Sequence, residues 1–331
     1  MSAKRKVKVA LVGTGGWGRQ HARIFDAHEN VDFCALVGRN SEKTRERAEQ
    51  FHTTAYTDLA LMLEKEQPDL VSLCLPNQGH FETTLQIIQA GVPLFVEKPL
   101  VFSLREADIL LNEADKRGLF FAINFNHRYA KPVQLAREAI DAGRLGQLTF
   151  ASWRFGGEGA STHPHANLIE TQCHGFDMLE YLCGPIEAVS AEMSDLTQAG
   201  FRTLALALKF SSGAVGTLIG TYDSSYAYPD AHRLELDGTK GRVVIHDTVK
   251  KYTFHPSGSE LGETWEAGYF NDADRQFHLT MDKHVDAMLA AFMAGHQPPI
   301  HAAAGYRALA IADAVIRSFE SGRRVKVDAA R

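Results

Sequence analysis

Through the first third of the chain, short continuous apolar runs alternate with segments whose apolar residues recur at helical spacing. VKVALVG at the start, VDFCALVG (31–38), DLVSLCLP (69–76), VPLFVEKP (92–99) and LFFAINF (119–125) read as strands buried on both faces. Between them, GRQHARIF, SEKTRERAEQF, HFETTLQIIQAG and LREADILLNEADKRG read as helices, the last two closing on a glycine. Strands that alternate with helices imply parallel pairing through right-handed crossovers. Residues 1–125 are therefore expected to form a doubly wound Rossmann-type domain with a parallel sheet.

The period changes after NHRYAKPV. A helix through QLAREAIDAG leads into alternating β segments: LTFASWRF, IEAVSAEMS, TLALALKF, AVGTLIGTY, HRLELDG and RVVIHD. Turns such as SSG and DGTKG favour antiparallel neighbours. Residues 126–331 are expected to be a second, α+β domain built on one large, open, mostly antiparallel sheet. A sheet with one free face is a candidate surface for a homodimer or homotetramer.

Composition changes this picture little but excludes several classes. At 331 residues, two domains are the natural reading. A net charge of −5 offers no long basic face, which argues against nucleic acid and anionic membrane as partners. No apolar run reaches membrane-spanning length and no secretory signal is visible, so a cytoplasmic setting is expected. The four cysteines, at 34, 74, 173 and 183, form no CxxC pair, so neither a disulfide framework nor a thiolate zinc site is expected.

The glycine-rich turn carries the first chemistry. In GTGGWG, Gly13, Gly15 and Gly18 fit G-x-G-x-x-G after a strand and before a helix, where a dinucleotide pyrophosphate meets a helix N-terminus; Gly16 and Trp17 lie in the same turn. About 20 residues further on, an acid would bind the ribose 2′-hydroxyl of NAD. Gly38 stands there, followed by Arg39, Ser41 and Lys43, groups suited to a 2′-phosphate or simply to the solvated start of a helix. NAD(P) is the expected cofactor, with NADP slightly favoured.

Two clusters carry candidate reaction chemistry. Glu97 and Lys98 end a buried strand before Pro99, at the sheet edge where open α/β folds bind ligands; a surface ion pair is the plainer alternative. In NLIETQCHGFDMLEYL (167–182), a regular helix places Glu170, His174, Asp177 and Tyr181 within a sector of roughly 60°. That sector is either a site or a solvated face. Gly175, which costs about 1 kcal/mol against Ala in a helix, suggests close approach by a ligand or another part of the chain. His163, His165, His174 and Asp177 are donors of metal-ligand type, but no H-E-x-x-H motif supports them and no metal is expected.

With these residues in view, the chain resembles the glucose–fructose oxidoreductase / inositol dehydrogenase (Gfo/Idh/MocA) family over nearly its whole length. The resemblance rests on GTGGWGRQH, LPNQGHFE, EKP at 97–99, NHRY at 126–129 and E-x-x-x-H-x-x-D at 170–177. It implies NAD(P)-dependent oxidation of a secondary hydroxyl of a sugar, glycoside or cyclitol. It further implies that Lys98 reaches the nicotinamide and the reacting hydroxyl with Glu97 holding it, and that His174 is the general base. Glu170 would bind substrate hydroxyls or position the lysine, and Asp177 would orient the histidine. Pro76, Asn77, His80 and Asn126 fall to the cofactor, and Arg128, His163 and His165 to the substrate; Trp153 would either stack on a sugar face or, like most aromatics on a strand, belong to the core. The chain departs from the family in carrying Glu rather than the more usual Asp at 170, and Gly38 at the end of strand two. Two other functions remain open on this scaffold: a redox-neutral enzyme that oxidises its substrate transiently, and a non-catalytic dinucleotide sensor.

Overall fold

The computed structural model describes residues 5–76, 79–159 and 161–328, which divide into two compact units. The first comprises the chain to Asn124 together with His284–Tyr306. Its elements run β1 (Val7–Val12), α1 (Gly16–Ala27), β2 (Val31–Val37), α2 (Ser41–Gln50), β3 (Thr54–Tyr56), α3 (Leu59–Glu66), β4 (Leu70–Leu73), α4 (His80–Gln89), β5 (Leu94–Val96), α5 (Leu104–Lys116) and β6 (Phe121–Ile123). All strand pairs are parallel, in the order β3-β2-β1-β4-β5-β6. The near-continuous apolar runs lie where expected: Val9, Ala10, Leu11, Leu70, Val71, Leu73, Leu94 and Phe95 have no exposed surface. The strand order reverses between β1 and β4, which opens a crevice at the carboxyl ends of those strands.

Residues 284–306, expected in the second domain by their position in the chain, fold with the first. Phe292 packs edge-on against Phe120 with centroids 5.2 Å apart. Ile123 donates its N–H to the Ile300 carbonyl (3.1 Å) and Ala302 to that of Phe121 (2.8 Å). The edge of β6 would otherwise be left with unpaired backbone groups.

The second unit spans Phe125–Lys283 and Arg307–Arg331. A 3-10 turn (Asn126–Tyr129) precedes α6 (Lys131–Asp141) and β7 (Leu148–Gly156). A π turn (Asn167–Thr171) then opens α7 (Cys173–Cys183). Next come β8 (Ile186–Ser194), β9 (Thr203–Phe210), β10 (Val215–Thr221), β11 (His232–Gly238), β12 (Gly241–His246), β13 (Lys251–Pro256) and β14 (Glu263–Glu266). The chain ends through α8 (Asp272–Arg275), α9 (Leu279–Met293), α10 (Ala303–Ser321) and β15 (Val325–Lys326), with the division between units falling inside α9 and α10. Nine strands form one sheet, β14-β13-β12-β11-β7-β10-β9-β8-β15, antiparallel throughout except for β7 with β10. Leu204, Leu206, Leu208, Leu218, Leu234 and Leu236 make its covered face, while Ala205, Ala207, Val215 and Ile219 are exposed on the other.

Candidate functional site

In the first unit, the carboxyl ends of the strands gather the expected cofactor residues. Gly13 has φ +125°, and a Cβ there would run into the Cys74 carbonyl; a Cβ on Gly18 would strike the Gly13 carbonyl. These two glycines are thus demanded by the tight turn and by the packing of α1. Gly15 and Gly16 are different: nothing lies within 4 Å of where their Cβ would be, and both are exposed, as are Trp17 and Pro76. The α1 N-terminus has no side-chain cap and no acid in its first turn, which leaves backbone N–H groups and the positive dipole end for an anion. These features fit a dinucleotide pyrophosphate. At Gly38 a Cβ would collide with Thr44 and Thr14, so close packing excludes an acid from that position. Arg39, Ser41 and Lys43 are exposed around the α2 N-terminus, which Asn40 caps through the Lys43 N–H (2.9 Å).

Further along the same edge, Glu97 is buried and Lys98 half-buried, so a free surface ion pair is not the arrangement. Burial alone would raise the Glu97 carboxyl, yet it is held below its ordinary value by the His21 hydrogen bond and charge, by Lys98 and by Asn124. The Lys98–Pro99 peptide is cis. His80 donates Nε2–H to the Leu75 carbonyl (2.9 Å), tethering the loop after β4, and burial lowers its pKa. Asn77, expected to touch the cofactor, lies outside the described residues.

In the second unit the π turn changes the wheel. Gln172 N–H bonds the Asn167 carbonyl five residues back (2.9 Å), so steps of 100° do not run through Glu170. The segment is buried almost all round: Leu168, Phe176 and Leu179 are fully covered, but so nearly are His174 and Asp177, which rules out a solvated face. His174 stacks on His127 with centroids 4.2 Å apart and meets the edge of Phe125. Glu170 is half-buried and accepts from Ser161 Oγ at 3.1 Å.

Other expectations in this unit are corrected. Asp177 does not bond His174; its two oxygens take Nε and Nη2 of Arg128 at 2.8 and 2.5 Å, while the guanidinium also lies over Tyr181. Arg128 is therefore engaged as a clamp on α7 and does not offer that fork to a substrate. Trp153 has no exposed surface: its Nε1–H goes to Gln172 (3.1 Å) and His232 packs against the ring at right angles, so it cannot stack on a sugar. Gly175 answers to this same indole, since a Cβ would sit 2.6 Å from Trp153 Nε1. His165 lies parallel to Phe201, and His163 is half-buried beside it. Asn126, expected at the cofactor, donates to Thr280 Oγ1 (2.7 Å). The donors at 163, 165, 174 and 177 do not form a ligand set. Among the described residues the one group with three donor atoms close together is His21, Cys74 and Glu97.

Two family models match the chain. Residues 7–125 match the GFO/IDH/MocA oxidoreductase family, NAD-binding Rossmann fold, and residues 133–244 match the GFO/IDH/MocA C-terminal domain. The chain belongs to the GFO/IDH/MocA family. Within it, the chain is 24% identical to the myo-inositol 2-dehydrogenase of Thermotoga maritima, over 97% of this chain and 99% of that protein. It is 23% identical to the 2,7-anhydro-N-acetylneuraminate hydratase of Mediterraneibacter gnavus, over 89% and 82%. The structure of levoglucosan dehydrogenase in complex with NADH superimposes with a TM-score of 0.88, at 20% identity, over 98% of this chain and 100% of that one. That last likeness concerns the fold.

As a GFO/IDH/MocA oxidoreductase the chain has a nicotinamide-dinucleotide fold. Sequence reasoning missed the partners of Glu97, namely His21, Asn124 and, through Asn124, His284. It also missed the buried His232. His21 sits within the quoted GTGGWGRQH, and its spacing of three residues from Gly18 was the available signal.

Proposed function

We propose that this family member is an NAD(P)-dependent dehydrogenase that transfers a hydride between a secondary hydroxyl of a sugar, glycoside or cyclitol and the nicotinamide. The observation that carries the reading is the retention of both chemical groups such a reaction needs: a lysine beside an ionised, buried glutamate, and a nearly buried imidazole at 174. When bound, the nicotinamide supplies a hydride acceptor. His174 takes the hydroxyl proton as the C–H hydride leaves, the general-base task for which imidazole is the side chain most often used. Lys98 stabilises the developing alkoxide by its charge. Glu170, half-buried and hydrogen-bonded to Ser161, accepts from a second substrate hydroxyl.

The same reading extends to the cofactor, the assembly and the compartment. Exposed Arg39, Ser41 and Lys43, with no carboxylate possible at Gly38, support NADP over NAD. The exposed apolar residues of β9 and β10 support a homodimer or homotetramer through the open sheet face. No helix among the described residues is long and apolar enough to cross a membrane, and a cytoplasmic sugar pathway is the proposed setting. The hydratase among the relatives supports a second reading, in which oxidation is transient and the nucleotide is re-reduced each cycle. The test is absorbance of reduced nicotinamide with purified protein, NAD or NADP, and a panel of sugars and cyclitols. Reduction with one compound is the expected result; product formation without net reduction would replace this reading with the second.

A further inference from the structure

Five polar side chains meet inside the first unit, each from a different element. His21 (α1), Ser72 (β4), Asn124 (after β6) and His284 (α9) are at most 1% exposed, and Glu97 (after β5) is 6% exposed. His21 Nδ1 lies 2.8 Å from Ser72 Oγ, and His21 Nε2 lies 2.9 Å from Glu97 Oε1. Asn124 Nδ2 donates to the same Glu97 oxygen at 2.6 Å, and its Oδ1 is 2.8 Å from His284 Nδ1. The carboxylate can only accept, so His21 Nε2 carries a proton; the Asn124 carbonyl likewise requires a proton on His284 Nδ1.

Burying a carboxylate with its partners is costly beside a well-packed apolar core, so this cluster is not explained by stability. A cation held by His21, Cys74 and Glu97 is also a poor account, because both His21 nitrogens are already hydrogen-bonded. What the cluster does is fix the residue next to Lys98 from two sides. His21 stacks on Phe95, two residues before Glu97, with centroids 5.4 Å apart, so the imidazole grips the end of β5 by both face and edge. Beyond its hydrogen-bond partners, the charged and titratable neighbours of Glu97 are Lys98, Cys74 and His80.

We propose that His21 is a positioning residue for Lys98, holding the Glu97 carboxylate so that the strand end presents the amine in one orientation, with Asn124 and His284 as the opposing arm. Its kinetic consequence rests on the dehydrogenase reading; its structural consequence does not. The experiment compares wild type, His21→Leu and His21→Gln, which keeps an N–H donor. Three quantities are read: acylation rate of the Lys98 amine by peptide mass spectrometry, NAD(P) affinity, and kcat with KM. His21→Leu is expected to change Lys98 acylation at least about threefold and lower kcat at least about tenfold, with nucleotide affinity and KM within about twofold, and His21→Gln to recover most of both. Unchanged acylation in His21→Leu overturns the proposal, as does an equal loss in Gln and Leu variants. If wild type oxidises no alcohol, the dehydrogenase reading fails, and acylation still decides the role of His21. Should His21→Leu not fold, Ser72→Ala, which removes the far hydrogen bond of the imidazole, carries the same comparison.

Discussion

Replacing Gly175 by alanine sets two measurable effects against each other. Inside α7, the change relieves the backbone entropy cost of glycine and by propensity alone stabilises the helix by about 1 kcal/mol. The new methyl would, however, stand 2.6 Å from Trp153 Nε1, 2.9 Å from its Cδ1 and 2.9 Å from Leu218 Cδ1. The indole cannot swing aside, because it is fully buried, hydrogen-bonded to Gln172 and packed edge-to-face with His232. Overpacking of this kind costs about 1–3 kcal/mol, so the net effect is a loss of up to about 2 kcal/mol. Urea unfolding of both proteins measures it, and the midpoint is expected to fall with the slope unchanged. Because His174 is the preceding residue, turnover should fall as well. In a Trp153→Phe background the nearest clash disappears, and the penalty should shrink. A Gly175→Ala protein more stable by the full propensity gain would refute the reasoning and remove the structural account of this glycine.

Arg128→Met should destabilise the protein by about 3–5 kcal/mol in the same assay, since it leaves the Asp177 carboxylate buried without its partner; Arg128→Met with Asp177→Leu should recover much of that. His232 has neither ring nitrogen hydrogen-bonded among the described residues, and burial lowers its pKa to about 3. Its neutral form is favoured in the native state, so the unfolded chain binds the extra proton below pH about 6.5 and stability falls toward acid by about 1.4 kcal/mol per unit down to about pH 3. His232→Leu should flatten that slope, measured as unfolding free energy against pH. Arg39→Ala should weaken NADP at least about tenfold while leaving NAD within about twofold, read by titration of each nucleotide.

The parallel sheet was legible because its strands are apolar on both faces and its helices carry their own stop signals. The helices α3, α9 and α10 escaped although α9 and α10 bury much apolar surface, and so did strands β3, β13 and β14 of the two sheets. β3 is three residues, two of them exposed, β14 reads ETWE, and β13 buries Tyr252, Thr253 and Phe254 in succession between Lys251 and His255-Pro256, so none shows a clean period. Lys98, His174 and Glu170 were readable as candidates, but their surroundings were not. A uniform helical wheel cannot anticipate the π turn at 167–171, which shifts Glu170 relative to His174, and it does not show that the Asp177 carboxylate serves Arg128 rather than His174. Trp153 followed its strand alternation into the core. The Glu97 clamp joins residues 76 and 27 positions away, with a further link from Asn124 across 160 positions, and no local pattern encodes such a meeting.

The proposed function rests on hydride transfer assisted by Lys98 and His174. The most direct measurement is the rate of nucleotide reduction in a single turnover by Lys98→Ala and His174→Ala, with the nucleotide dissociation constant measured on the same samples. A loss of at least about a hundredfold is expected in each variant, with nucleotide still bound. Near-normal rates in both would contradict it.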